Sequence, residues 1–128
     1  MDAGRLGFAP DTVIQELGWD EDVDDELRKA IESHVGNALV DGDVAEAVDG
    51  VILWWRDGDG DLVDALLDSL QDLAEGGSVW LMTPKVGRPG HVSGADIVEA
   101  APVAGLSTTT TSSAAPEWSA TKLSTHKR

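Results

Sequence analysis

The sequence predicts one α/β domain of three layers, with a mainly parallel sheet of about six strands that ends in an antiparallel C-terminal pair. Three observations predict it. Val51-Ile52-Leu53-Trp54-Trp55 is an uninterrupted apolar run, the mark of a central strand covered on both faces. It runs into a turn with three alternate aspartates, Asp57, Asp59 and Asp61, and then into a leucine-rich amphipathic segment, as a parallel strand does before its crossover helix. Two Thr- and Ser-rich stretches at the C-terminal end, joined by Ala114-Ala115-Pro116-Glu117, read as a hairpin.

Taken in order, Leu6-Gly7-Phe8-Ala9-Pro10-Asp11 reads as a turn, with frayed residues before it. Thr12 to Leu17 has a β-branched start that suggests a strand, and a short helix competes because Gln15 to Leu17 are good helix formers. Gly18 ends the segment either way. Asp20 to Asp25 holds five carboxylates in six residues, suited to the positive end of the helix that Leu27, Ala30, Ile31 and Val35 define by their spacing. Gly36-Asn37 stops that helix. Ala38-Leu39-Val40 is a candidate short strand, and Asp43 to Ala47 a single helical turn.

After the strand 51–55, Asp61 is a natural N-cap for a helix whose stripe is Leu62, Leu66, Leu70 and Leu73, closed by Glu75-Gly76-Gly77. Ser78 to Thr83 is the next strand, terminated by Pro84. A Gly/Pro loop follows with Lys85, Arg88 and His91. Ser93 with Asp96 resembles a capping box, so a helix starts near Gly94, bends or ends near Pro102 and stops at Gly105. Leu106 to Ser113 and Trp118 to Thr125 form the hairpin. Strand, helix, strand, helix and hairpin in this order make the arrangement Rossmann-like.

Composition bounds the function. At 128 residues the chain makes one domain, ordered from about residue 6 to about 125. It has no Cys, hence no disulfide framework, thiol nucleophile or zinc-ribbon spacing. No apolar run approaches the roughly 18 residues of a membrane span, and MDAGRLGFAP lacks the features of a signal peptide, so a cytoplasmic protein is expected. The net charge of −15 is uneven: residues 1–75 carry 21 acidic and 4 basic side chains (−17), and residues 76–128 carry 3 and 5 (+2). The acidic half would repel phosphates, which argues against direct nucleic-acid binding and leaves a basic protein partner, cations or solubility as its uses.

The runs Leu6 to Pro10, Gln15 to Asp22, Leu53 to Leu62, Thr83-Pro84-Lys85, Gly87 to Val92 and Trp118-Ser119-Ala120 resemble the actinobacterial branch of domain-of-unknown-function family 3052, over Leu6 to Leu123. That resemblance implies no activity. The element order is also similar to the C-terminal half of Rossmann-like S-adenosylmethionine methyltransferases, which implies their fold. Those enzymes have a Gly-rich loop after the first strand, whereas Leu17-Gly18-Trp19-Asp20-Glu21-Asp22 has one glycine and dense negative charge. The cofactor's carboxylate lacks a neutral approach there, so neither methyl transfer nor a cofactor is expected.

Two site readings remain. In the first, the protein is non-catalytic and binds another protein, with Trp19, Asp20, Glu21, Asp22 and Trp118 as the contact surface, since Trp anchors interfaces. In the second, a small ligand sits between Arg56, Asp57, Asp59, Asp61 and the Lys85, Arg88, His91 loop, with His91 as the candidate general base. Salt bridging between the two loops would close that pocket. The aspartates match the first positions of a calcium loop, but Leu62 stands where a turn glycine is needed and Asp68 where a bidentate Glu is needed, so no metal site is expected. No nucleophile sits in a catalytic context. Trp54 and Trp55 must point to opposite faces of their strand.

Overall fold

The computed structural model describes residues 8–41 and 47–125. The order is β1 (Ile14–Leu17), α1 (Asp25–Val35), β2 (Val48–Trp54), α2 (Leu62–Ser69), β3 (Leu73–Pro84), α3 (Gly94–Val103), β4 (Leu106–Ala115) and β5 (Trp118–Thr125). The five strands form one sheet in the order β1-β2-β3-β5-β4. The expected turn over Asp43 to Ala47 lies, but for Ala47, outside the described residues, as do the first seven residues and the tail from His126.

The sheet is mixed rather than mainly parallel. β1 with β2 and β2 with β3 are parallel, whereas β5 pairs antiparallel with both β3 and β4. The C-terminal hairpin inserts its second strand beside β3, so two of the four pairings are antiparallel. The expected strand at residues 38–40 reduces to a single parallel bridge, Gln15 with Val40, which leaves five strands instead of about six.

Helices cover both faces. Leu27, Ile31 and Val35 of α1 pack on Ile52, Trp54, Trp80 and Met82. Leu66 of α2 and Ile97, Ala100 and Ala101 of α3 pack on Val51, Leu53, Trp55, Val79 and Leu81. The alternation along β2 therefore sends Trp54 and Trp55 into opposite cores, as period-2 geometry requires. Asp61, Ser93 and Gly36 cap their helices as the sequence predicts, and Asp24 caps α1. Asp24 accepts from Leu27 N–H, Asp61 from Val63 N–H and Ser93 from Ala95 N–H, and Gly36 ends α1 in the left-handed conformation (φ 79°).

The leucine stripe overstates α2. The helix ends at Ser69, and Leu73, expected in it, begins β3. The buried Ser69 hydroxyl donates to Leu66 O (2.6 Å), and Val48 N–H captures Asp72 O (2.7 Å), which draws residues 72–73 to the sheet. Gly76 and Gly77 consequently lie inside β3, in a bulge where the pairing shifts from Val48 with Leu73 to Gly50 with Ser78. Gly77 has no room for a side chain: a Cβ would lie 2.7 Å from Asp49 O and against the Leu73 side chain. Among the described residues, no helix is long and apolar enough to cross a membrane.

β1 exchanges hydrogen bonds on both edges. Val40 N–H donates to Ile14 O (3.0 Å) and Glu16 N–H to Val40 O (2.7 Å) on the outer edge, while Asp49 N–H reaches Val13 O (2.8 Å) on the inner one. The chain thus leaves β1 through α1 toward one side and pairs next, as β2, on the other. That reversal is a topological switch point, and its crevice opens at the carboxyl ends of β1 and β2.

Candidate functional site

A cleft of about 400 Å³ occupies that crevice, lined by Gly18, Trp19 and Asp20 after β1, Trp55, Arg56 and Asp59 after β2, and Ala65 and Asp68 of α2. Its geometry follows from the loop after β1. Gly18 holds φ 76°, and a Cβ there would run into Trp54 O, so glycine lets the loop cross the end of β2 at backbone contact. Trp19 then stands at the rim, 55% exposed.

Arg56 fastens this loop. Its Nε donates to Asp22 Oδ2 (2.9 Å), its Nη2 pairs with Asp22 Oδ1, and its Nη1 donates to Gly18 O (2.8 Å) and Trp54 O (3.3 Å). The guanidinium carbon lies 5.3 Å from the centre of the Trp118 ring. Burial works against the Arg56 charge, but hydrogen bonding and charge from Asp22, with help from Asp59, outweigh it and hold the guanidinium above its ordinary range. Trp118 Nε1–H donates to Asp22 O (3.1 Å), and the Trp118 ring meets Trp54 edge-on at 4.9 Å. Trp54 Nε1–H in turn donates to Glu16 Oε2 (2.9 Å). Glu16 receives Arg28 through two bonds (Nε to Oε2, 2.6 Å; Nη2 to Oε1, 2.9 Å), which raises the Arg28 guanidinium above its usual range.

The Arg56 hydrogen bond is the main cause holding the Asp22 carboxyl below its usual value. The folded chain therefore binds a proton at Asp22 less readily than the unfolded chain does. The stabilisation is complete above the unfolded pKa of about 3.9 and is lost as pH falls through the lower folded value. Comparing Asp22→Asn with the parent in urea unfolding from neutral to strongly acidic pH should show a constant deficit above about pH 5 that shrinks below about pH 4. A deficit independent of pH would show that the carboxylate charge is not what the loop uses. Asp22 is half-exposed, so high salt should also reduce the difference.

The other expected site residues divide between two places. Asp59 Oδ2 accepts from Arg56 N–H (3.0 Å), Asp61 caps α2, and Asp57 N–H donates to Gly90 O (2.8 Å), so the aspartate loop and the Gly90 loop touch through backbone. The basic side chains turn to the hairpin instead. Lys85 Nζ donates to Ser113 Oγ (2.6 Å), and Arg88 Nη2 pairs with Glu117 Oε2 (2.9 Å). His91 Nδ1 lies 2.9 Å from Pro84 O, which can only accept, so the proton sits on Nδ1. His91 lines a separate groove with Thr108 to Thr111, on the far side of β3 from the switch-point cleft. The structure thus joins Trp19, Asp20, Arg56 and Asp59 in one cleft and places Lys85, Arg88 and His91 outside it. Of the two tryptophans expected at a partner surface, Trp19 is exposed, whereas Trp118 is 3% exposed beneath Arg56 and belongs to the core. Asp68, which the sequence offers only as the failed twelfth position of a calcium loop, lines the cleft from α2.

An uncharacterized protein of Mycobacterium tuberculosis (strain H37Rv) is 54% identical over 121 residues, covering 94% of this chain and 76% of that one. A relative in Mycobacterium bovis, also uncharacterized, matches to the same extent. Among solved structures, the pyocyanin biosynthetic protein PhzM is similar with a TM-score of 0.63 at 16% identity, over 98% of this chain. This chain spans about half of PhzM (53%). A SAM dependent methyltransferase from Aquifex aeolicus gives a TM-score of 0.64 at 10% identity, over 98% of this chain and 90% of that one. Identities this low establish a shared methyltransferase-like α/β fold and nothing more. The family profile described as "Protein of unknown function (DUF3052)" matches residues 3–127, and the chain belongs to that family.

Proposed function

We propose that the protein is a non-catalytic binding module whose switch-point cleft receives a cationic side chain from a basic protein segment. One observation carries this reading: the cleft presents an exposed indole, Trp19, beside the carboxylates of Asp20 and Asp68, while its own cation, Arg56, is held by Asp22 and Asp59. An indole face and carboxylates together suit a guanidinium or an ammonium. The −17 charge of residues 1–75 adds long-range attraction for a basic partner. The test is titration of an arginine-rich decapeptide against the full chain, read by Trp fluorescence and calorimetry. We expect saturable binding that weakens with salt and falls roughly 10-fold in Trp19→Ala and in Asp20→Asn, since each contact of this kind contributes on the order of 1 kcal/mol or more. Absence of saturation, or affinity in both variants equal to that of the parent, overturns the reading.

A second reading rests on the fold. The cleft lies at the crevice where doubly wound sheets take ligands, and proteins with this fold include SAM dependent methyltransferases. S-Adenosylmethionine carries a carboxylate that Asp20, Glu21 and Asp22 oppose, which makes it the weaker candidate. A thermal midpoint that rises with S-adenosylmethionine, and not with the decapeptide, would reverse the order of the two readings.

A further inference from the structure

We infer that the outer edge of β4 along Thr110 to Ser113, which pairs with no strand among the described residues, pairs antiparallel with the same segment of a second copy of this chain about a two-fold axis, joining the two sheets into one. β4 is the terminal strand of the sheet, bonded to β5 on its inner side. It is ten residues long, Leu106-Ser-Thr-Thr-Thr-Thr-Ser-Ser-Ala-Ala115, and carries no charged residue and no proline. Isolated sheets protect an exposed edge with lysines, prolines, very short strands or bulges. This edge has no lysine and no proline, and its two register shifts, at Thr108/Thr110 and Ser113/Ala115, leave Thr110 to Ser113 between them in continuous pairing with β5 as the segment open to a partner strand.

Charge distribution selects the occupant. The chain as a whole carries −15, so two copies repel across most orientations. Among the described residues the acidic excess belongs to those before residue 76, which build β1, α1, β2 and α2, while residues 76–125 carry three acidic and three basic side chains and build α3, β4, β5 and most of β3. Pairing through β4 puts the two neutral sides together and the two acidic sides at opposite ends. An antiparallel edge pair is self-complementary under a two-fold axis, as a dimer contact must be.

The surface beside the edge adds apolar area. α3 packs along β4, and Val98 of α3 (59% exposed) and Val86 (83% exposed) line a groove of about 330 Å³ next to Thr108 to Thr111. A two-fold axis normal to the sheet sets the α3 helices of both copies on the same face, where Val98 and Val86 meet the partner's surface. A strand ladder alone is small for a stable interface, so these flanks contribute to holding it. The contact lies at the opposite side of the sheet from the Trp19 cleft, so it stands or falls independently of the proposed function.

The experiment is sedimentation equilibrium of the full chain at about 100 μM, a concentration that detects micromolar association. The expected mass is twice the 13.5 kDa of the single chain. Association should strengthen as salt rises from about 10 mM to about 150 mM, because screening shortens from roughly 30 Å to roughly 8 Å the range over which the acidic halves repel. Thr110→Glu places a carboxylate on the edge, and its cross-strand neighbour Lys122 keeps it compatible with the fold. Combined with Val98→Ser it should return the single-chain mass, with far-UV circular dichroism and the thermal midpoint measured at low protein concentration unchanged. Single-chain mass for the parent at both salts overturns the inference. So does a dimer that survives both substitutions, or one that salt weakens.

Discussion

Trp54→Ala is expected to destabilise the fold by about 4 kcal/mol, the upper part of the range for emptying a buried tryptophan site. Trp54 is 0% exposed, and its ring fills the core between α1 and the sheet and meets Trp118 edge-on. Its loss also removes the donor to Glu16 Oε2, which remains paired to Arg28. Trp54→Phe separates the two contributions: it restores most of the volume but not the indole N–H, and should cost about 1 to 2 kcal/mol. In a domain whose total stability is on the order of 5 to 15 kcal/mol, the alanine variant should unfold at far lower urea while the phenylalanine variant remains well folded. Equal midpoints for the two would show that the hydrogen bond to Glu16, and not the packing, is what the position supplies.

Arg56→Ala should cost roughly 2 kcal/mol, which lowers the thermal midpoint by about 8 °C in a domain of this size. The half-exposed Asp22 contributes a screened share. The greater loss comes from Gly18 O and Trp54 O, which lose their Arg56 partner, and from the Trp118 face, which loses its cation. Arg56→Lys should recover less than half, because a single ammonium cannot reach Asp22 in a fork and serve two carbonyls at once. Hydrogen exchange should then quicken at residues 18–23 before anywhere else, since Arg56 and Trp118 are what tie that loop to the sheet. Uniform loss of protection across the sheet would assign Arg56 to the core instead.

The sequence revealed most where local chemistry decides. Val51 to Trp55 fits a doubly covered strand better than an edge strand, and with helices on both faces its adjacent tryptophans divide between two cores. Gly36, Asp61 and Ser93 terminate helices through contacts made within four residues of themselves. Long-range pairing decides the rest. Arg56 pairs with Asp59 three residues on, yet its principal partner is Asp22, 34 positions earlier. Lys85, Arg88 and His91 follow β3 and were expected to face the aspartate loop. Insertion of β5 between β3 and β4 brings Ser113 and Glu117 to that end of the sheet, and they receive Lys85 and Arg88 first. Leu73 continued a helical stripe perfectly well, and only Val48, a residue in another element, shows why it leaves it.

The bulge in β3 separates two kinds of register. Between Val48 and Gly50 the β2 strand advances by two positions while β3 advances by five, from Leu73 to Ser78. Beyond it the pairing runs without interruption from Val51 with Val79 to Trp54 with Met82. The three extra residues of β3 are therefore taken up before the ladder that carries the cleft begins. The frame in which Trp55, Arg56 and Asp59 meet the cleft is thereby set by the pairing after the bulge and not by the length of chain between α2 and that ladder.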